Sequence, residues 1–269
     1  MIDTIHALIL GIIQGLTEFL PVSSSAHLNL FPWVAGWGKM PESFDVALHI
    51  GTLLAIIIFF FKDWINLIVG GYNQVVKKKK TTEGKIFWYL VLSTIPAGIL
   101  SLILDKISEK LFEKSLNVEM TVIAITLIIM GIVLYVVDKK AKSKTNYEKM
   151  TLKQSVLIGI SQALAAAFPG VSRSGITMTV ARALEIDRES AAKYSFLLAT
   201  PITAAAVIFD MKNFAFGDPA FWIGILTSFL VGIFIIKFLL NYLKKGSFKV
   251  FAIYRIVIGI AVIAIAILK

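Results

Sequence analysis

Twice in this chain, at a constant offset of 148 residues, an apolar stretch too short to cross a bilayer ends at a proline and a cluster of hydroxyls. Gly11, Gln14, Leu16, Pro21 and Ser24 of the first copy stand opposite Gly159, Gln162, Leu164, Pro169 and Ser172 of the second. The first copy carries Glu18 and His27 and the second Arg173, all within apolar sequence. Ionisable groups are costly in hydrocarbon, so there they mark a site or a pathway. The setting is a bilayer: 57% of the 269 residues are hydrophobic and 16% charged, where a soluble domain carries about 25% charged residues. Mean hydropathy is +0.81. The net charge of +10 does not point to nucleic acid, because the lysines sit in loops between apolar runs, as in cytoplasmic connections. The lack of cysteine excludes disulfide and thiol chemistry. No basic region or small-residue cleavage site precedes the first apolar stretch, so no cleaved leader is expected.

The order of segments predicts an all-α polytopic membrane protein, a single integral domain over residues 1–269. Repeat one (1–140) holds a hairpin broken at Pro21–Ser25 and full spans over 44–61, 86–104 and 118–137. Repeat two (150–269) holds arms over 155–168 and 175–184 broken at Pro169, then spans over 192–209, 219–240 and 250–268. Between these, 62–85 reads as a lysine-bearing loop and 105–117 as a short amphipathic surface helix. Three crossings per half give the halves opposite topology, so each repeat is a re-entrant helical hairpin plus three transmembrane helices, inverted relative to the other. Loops on one side carry 18 basic residues against 6 on the other, including Lys39, Lys114 and Lys269. That bias places both termini outside, with the hairpins dipping in from opposite faces. Inverted repeats with broken helices put their site near mid-membrane.

Gln14 and Glu18 share a helix face with the small residues Gly11 and Gly15, a stripe that lets another helix approach. Ser23 or Ser24 is placed to cap the return helix, and His27 lies one turn beyond Ser24. In the second copy, Ser172, Arg173 and Ser174 open the return arm. Two helix N-termini then present unpaired N–H groups to one central region, an anion site. Arg173 adds a fork matched to phosphate oxygens, or alternatively pairs structurally with Glu18; Thr177, one turn on, can donate another hydrogen bond. Ser24 and His27 are both available as nucleophiles, His27 also as a base for Ser24. Glu18 can orient His27, move protons, or hold a divalent cation through substrate phosphates. His49 reads as a packed or cleft-lining residue, His6 as interfacial, and Asp187, Arg188 and Glu189 as a solvated loop. Arg255 either lines the cavity or pairs structurally.

These residues carry a resemblance. Gln14 to Glu18, continuing into Pro21-Val22-Ser23-Ser24 and His27, together with Pro169-Gly170-Val171-Ser172-Arg173-Ser174 and Thr177, resemble the two motifs of the undecaprenyl-diphosphate phosphatase family of the bacitracin-resistance type. The similarity runs along essentially the whole chain, through Ser195-Phe196-Leu197-Leu198 and Phe251-Ala252-Ile253-Tyr254-Arg255. It implies removal of the terminal phosphate of undecaprenyl diphosphate, regenerating the carrier lipid for peptidoglycan synthesis. It implies Glu18, Ser24, His27 and Arg173 as central residues, supported by Gln14, Ser23, Ser172, Ser174 and Thr177. It further implies stimulation by Mg²⁺ or Ca²⁺, residence in the bacterial cytoplasmic membrane and a site open to the outer face; a homodimer is left open. Gln14 stands where many members carry a carboxylate, which weakens any role needing two negative charges. A phosphatidic-acid-type phosphatase is excluded, since it needs a histidine after the Ser-Arg pair and none follows His49. The competing class is a prenyl-phosphate lipid transporter, to which inverted repeats also point.

Overall fold

The computed structural model describes residues 3–38, 40–112 and 116–268. Among them the chain forms α1 (Thr4–Thr17), α2 (Ser24–Ala35), α3 (Glu42–Phe59), α4 (Phe61–Val76), α5 (Thr82–Phe112), α6 (Leu116–Lys140), α7 (Leu152–Ser161), α8 (Ala163–Ala167), α9 (Arg173–Ala183), α10 (Arg188–Asp210), α11 (Pro219–Leu243) and α12 (Lys249–Leu268). The only pairing of extended backbone among the described residues is an isolated bridge, Thr145 with Ile186. Six helices, α3, α5, α6, α10, α11 and α12, are long and apolar enough to cross a bilayer. This is an all-helical, multi-pass membrane architecture, and its polarity runs accordingly. Ile99, Leu102, Ile129, Leu226, Phe234 and Ile260 face outward, while Gln14, Glu18, Asp138, Arg182 and Arg255 are buried.

The stripe on α1 meets α11. A methyl group on Gly11 would lie 2.8 Å from the Gly224 carbonyl, and one on Gly15 2.7 Å from the Val231 side chain. In the second half, Gly159 of α7 presses against Ser93 of α5 in the same manner. Each broken hairpin therefore leans on a long helix from the other half of the chain.

Three local expectations are corrected. The lysine-bearing stretch after α3 contains the helix α4, which starts at once from Phe60. Its stripe of Leu67, Gly70 and Gly71 packs on the start of α5, a tertiary contact that the surrounding lysines mask in the sequence. The surface helix expected over 105–117 is, as far as Phe112, the end of α5; no glycine or proline interrupts that stretch, so nothing stops the helix. The rest of that expectation includes residues 113–115, outside the described residues, as are Lys39 and Lys269 of the basic count. The arm expected over 155–168 is two pieces, α7 and α8, parted at Gln162. There the Ser161 hydroxyl donates to the Ile158 carbonyl at 2.6 Å, a local bond that competes with the helical ladder.

The lysine-rich segments gather at one end. Lys193 pairs with Asp63 at 2.6 Å. Asp138, at the end of α6, accepts from Arg182, from Arg188 and from the Phe248 backbone N–H at 3.1 Å. Arg188 is thus an ion-pair partner and Asp187 caps α10 by accepting from Ser190 N–H at 2.8 Å. Of the expected solvated loop only Glu189 is exposed.

Candidate active site

α1 stops at Thr17, and Glu18 follows as its C-cap, its N–H still bonded to the Gln14 carbonyl at 2.9 Å. The chain turns through Pro21 and restarts at Ser24. Ser23 caps the new helix, accepting from Ala26 N–H at 3.4 Å with its own φ at +78°. In the second hairpin Ser172 caps α9, accepting from Gly175 N–H at 3.0 Å with φ at +72°. Each cap also contacts the serine two residues on, Ser25 and Ser174, at 3.3 Å. Val22-Ser23-Ser24-Ser25 and Val171-Ser172-Arg173-Ser174 are therefore the equivalent turns, one residue out of the expected register. The added residue is Gly170, whose φ of +91° suits glycine. This corrects the pairing of Ser24 with Ser172: the counterpart of Ser24 is Arg173.

Both of those side chains meet Glu18, which is 7% exposed. Ser24 Oγ donates to Glu18 Oε2 at 2.6 Å, and Gln14 Nε2 donates to the same oxygen at 3.0 Å. The Arg173 guanidinium bonds Glu18 Oε1 through one nitrogen and Thr203 Oγ1 through another. His49 adds its Nε2 at 3.5 Å from Glu18 Oε2, while its Nδ1 lies 2.8 Å from the Asp45 carbonyl. A hydroxyl, a carboxylate and a guanidinium, contributed by two separate turns, thus converge where α1 meets α9. His49 lines this cluster from α3.

His27 stands beside the cluster but is not bonded to Ser24. Its Nδ1 lies 2.7 Å from the Ser23 carbonyl and its Nε2 2.8 Å from the Tyr254 hydroxyl, the two rings stacking with centroids 5.6 Å apart. Both residues head an apolar groove of about 440 Å³ between α1, α2 and α12, lined by Ile9, Ile12, Leu16, Phe31 and Ile258 among others. Thr177 turns away from the cluster: its hydroxyl bonds the Arg173 and Ser174 carbonyls and lies 2.6 Å from Ser195 Oγ. Ser174 ties the turns together by donating to the Leu20 carbonyl at 3.1 Å.

Arg255, 1% exposed, joins the same structure from α12. It donates to the Pro21 carbonyl at 3.2 Å and to the Gly170 and Val171 carbonyls at 2.8 and 3.0 Å. It is a structural clamp on both turns. A methyl group on Gly175 would come within 2.7 Å of its Nη1, so glycine makes room for the guanidinium. Sequence reasoning missed Tyr254 and Thr203 as neighbours of the site. A tyrosine or threonine in an apolar span is ordinary, and only the placement of the spans reveals the contact.

Among the described residues no three His, Cys, Asp or Glu side chains gather as a metal cluster. The buried Gln14 Oε1, however, has no hydrogen-bond partner beside Glu18. That orphaned oxygen and one carboxylate fit a cation held mainly by phosphate oxygens and water, the usual arrangement for Mg²⁺.

A family model described as "Bacitracin resistance protein BacA" matches residues 7–261. The chain is 48% identical over 263 residues to an undecaprenyl-diphosphatase of Pelotomaculum thermopropionicum, covering 97% of this chain and 96% of the relative. It is 43% identical to an undecaprenyl-diphosphatase of Caldicellulosiruptor bescii, covering 99% and 98%. With one of Desulforudis audaxviator the identity is 42%, covering 98% of each.

Proposed function

The chain belongs to the bacitracin resistance protein BacA family, and from that premise we propose that it hydrolyses undecaprenyl diphosphate to undecaprenyl phosphate and inorganic phosphate. The carrier lipid is thereby recycled for peptidoglycan synthesis. The observation that carries the reading at this site is the convergence of Ser24 and Arg173 on Glu18.

Ser24 Oγ attacks the terminal phosphorus while its proton passes to Glu18 Oε2, already 2.6 Å away. The bond from that phosphorus to the bridging oxygen breaks, and undecaprenyl phosphate leaves. Arg173 releases Glu18 as the carboxylate is protonated and turns its fork to the phosphoryl oxygens, where charge builds up. The helix N-termini capped by Ser23 and Ser172 add backbone dipoles of the same sign. Water then attacks the phosphoserine, giving a proton to His27, and Ser24 leaves with the proton held by Glu18. A divalent cation held by phosphate oxygens, the Gln14 side-chain oxygen and, until it takes the Ser24 proton, Glu18 would supply further neutralisation of phosphate charge. Ser174 and Thr177 support the turn from behind.

The repeats are read as inverted, supported by the exchange in which α1 packs on α11 and α7 on α5. The lysine-rich end faces the cytoplasm, both termini lie outside the bacterial cytoplasmic membrane, and the site opens to the outer face. The same exchange favours a second reading, a prenyl-phosphate lipid transporter. Phosphate release by the purified protein in detergent separates them. The phosphatase releases phosphate and Ser24→Ala does not; a pure transporter releases none, and no phosphorylated residue is then trapped.

A further inference from the structure

We propose that Tyr254 is a positioning residue for His27, holding the imidazole as the tautomer with its proton on Nδ1 and its lone pair on Nε2, at the head of the apolar groove. The Ser23 carbonyl only accepts hydrogen bonds, so the ring nitrogen 2.7 Å from it, Nδ1, carries a proton. In the neutral ring Nε2 is then the acceptor, and the Tyr254 hydroxyl, 2.8 Å away, donates to it. One neutral tautomer satisfies both contacts. The orientation is fixed as well as the proton, since the rings lie within 9° of parallel. The backbone of α12 beside Tyr254 is fixed by Arg255, which is anchored on both turns.

The consequence is chemical. Nε2 is the basic nitrogen, and it faces Tyr254 at the groove that both residues line with Ile9, Ile12 and Phe31. A prenyl diphosphate whose chain occupies that groove puts its phosphates beside Nε2. Water arriving beside those phosphates takes the place of the Tyr254 hydroxyl at Nε2, and the lone pair kept on that nitrogen accepts its proton. The kinetic part of this inference rests on the phosphatase reading; the tautomer does not.

The test uses the full chain, labelled with ¹⁵N-histidine, in detergent. His27→Ala identifies the His27 signals among the three histidines. The wild-type ring should show a pyrrole-type Nδ1 and a hydrogen-bonded pyridine-type Nε2, and Tyr254→Phe, which keeps the stacked ring, should shift Nε2. On undecaprenyl diphosphate, Tyr254→Phe should lower kcat roughly tenfold, the scale of one lost orienting hydrogen bond, with KM within about twofold. Its effect should vanish in the His27→Ala background. A pyrrole-type Nε2, an Nε2 signal unmoved by Tyr254→Phe, or an undiminished Tyr254→Phe loss without His27 overturns the proposal. If the wild type releases no phosphate, the phosphatase reading fails while the nitrogen spectrum still decides the tautomer.

Discussion

At the scale of single residues, Glu18 is the point on which the two turns agree. One oxygen faces the Ser24 hydroxyl and the Gln14 amide, the other the Arg173 guanidinium. Arg173→Ala should lower kcat/KM at least a hundredfold, the scale of losing a preorganised donor to developing charge; a loss below tenfold, measured by phosphate release, would make the arginine structural. Arg173→Lys should rescue little, because a point charge cannot bond Thr203 and a phosphate in one plane. Ser24→Ala should abolish any acid-stable phosphoprotein trapped from radiolabelled substrate, and an acid-labile, alkali-stable label mapped to His27 would reassign the nucleophile. Glu18, Ser24, His27 and Arg173 stood out because each is a polar group stranded in apolar sequence, and the structure gathers Ser24 and Arg173 on Glu18 with His27 bonded elsewhere. The register was not legible: Gly170 adds one residue to the second turn, and only backbone geometry shows that Ser24 answers to Arg173.

At the scale of elements, the two breaks were legible from Pro21 and Pro169, and the caps from the serines beyond them. Where a helix depends on tertiary contact, as α4 does through Leu67 and Gly70, its lysine-rich surroundings concealed it. Arg255 was visible but ambiguous, because its partners are main-chain carbonyls that no side-chain pattern advertises. Arg255→Met keeps most of the side-chain length but removes all the donors. Each orphaned buried carbonyl should cost about 1–3 kcal/mol, lowering the thermal midpoint in detergent and abolishing phosphate release together. Gly175→Ala should act in the same direction more mildly, by pushing a methyl group against Nη1.

At the scale of the whole molecule, the bilayer dictates an inside-out distribution that composition alone announces: apolar faces outward and charges inward. The lysine-rich loops were grouped on one side by counting, and the contacts Lys193–Asp63 and Phe248–Asp138 bring those same segments together. Since the chain has no cysteine, orientation is open to direct measurement. Gly217→Cys should react with an impermeant maleimide on intact cells, and Lys142→Cys only after lysis. The reverse pattern would invert the orientation without touching the chemistry.

Because one guanidinium grips the carbonyls of both turns, the two jaws of the pocket are riveted together, and neither swings open by itself. On the phosphatase reading proposed above, a bulky lipid then has a side entrance rather than a front door: the apolar groove between α1, α2 and α12 admits it from the surrounding membrane, leaving the rivet untouched from one turnover to the next.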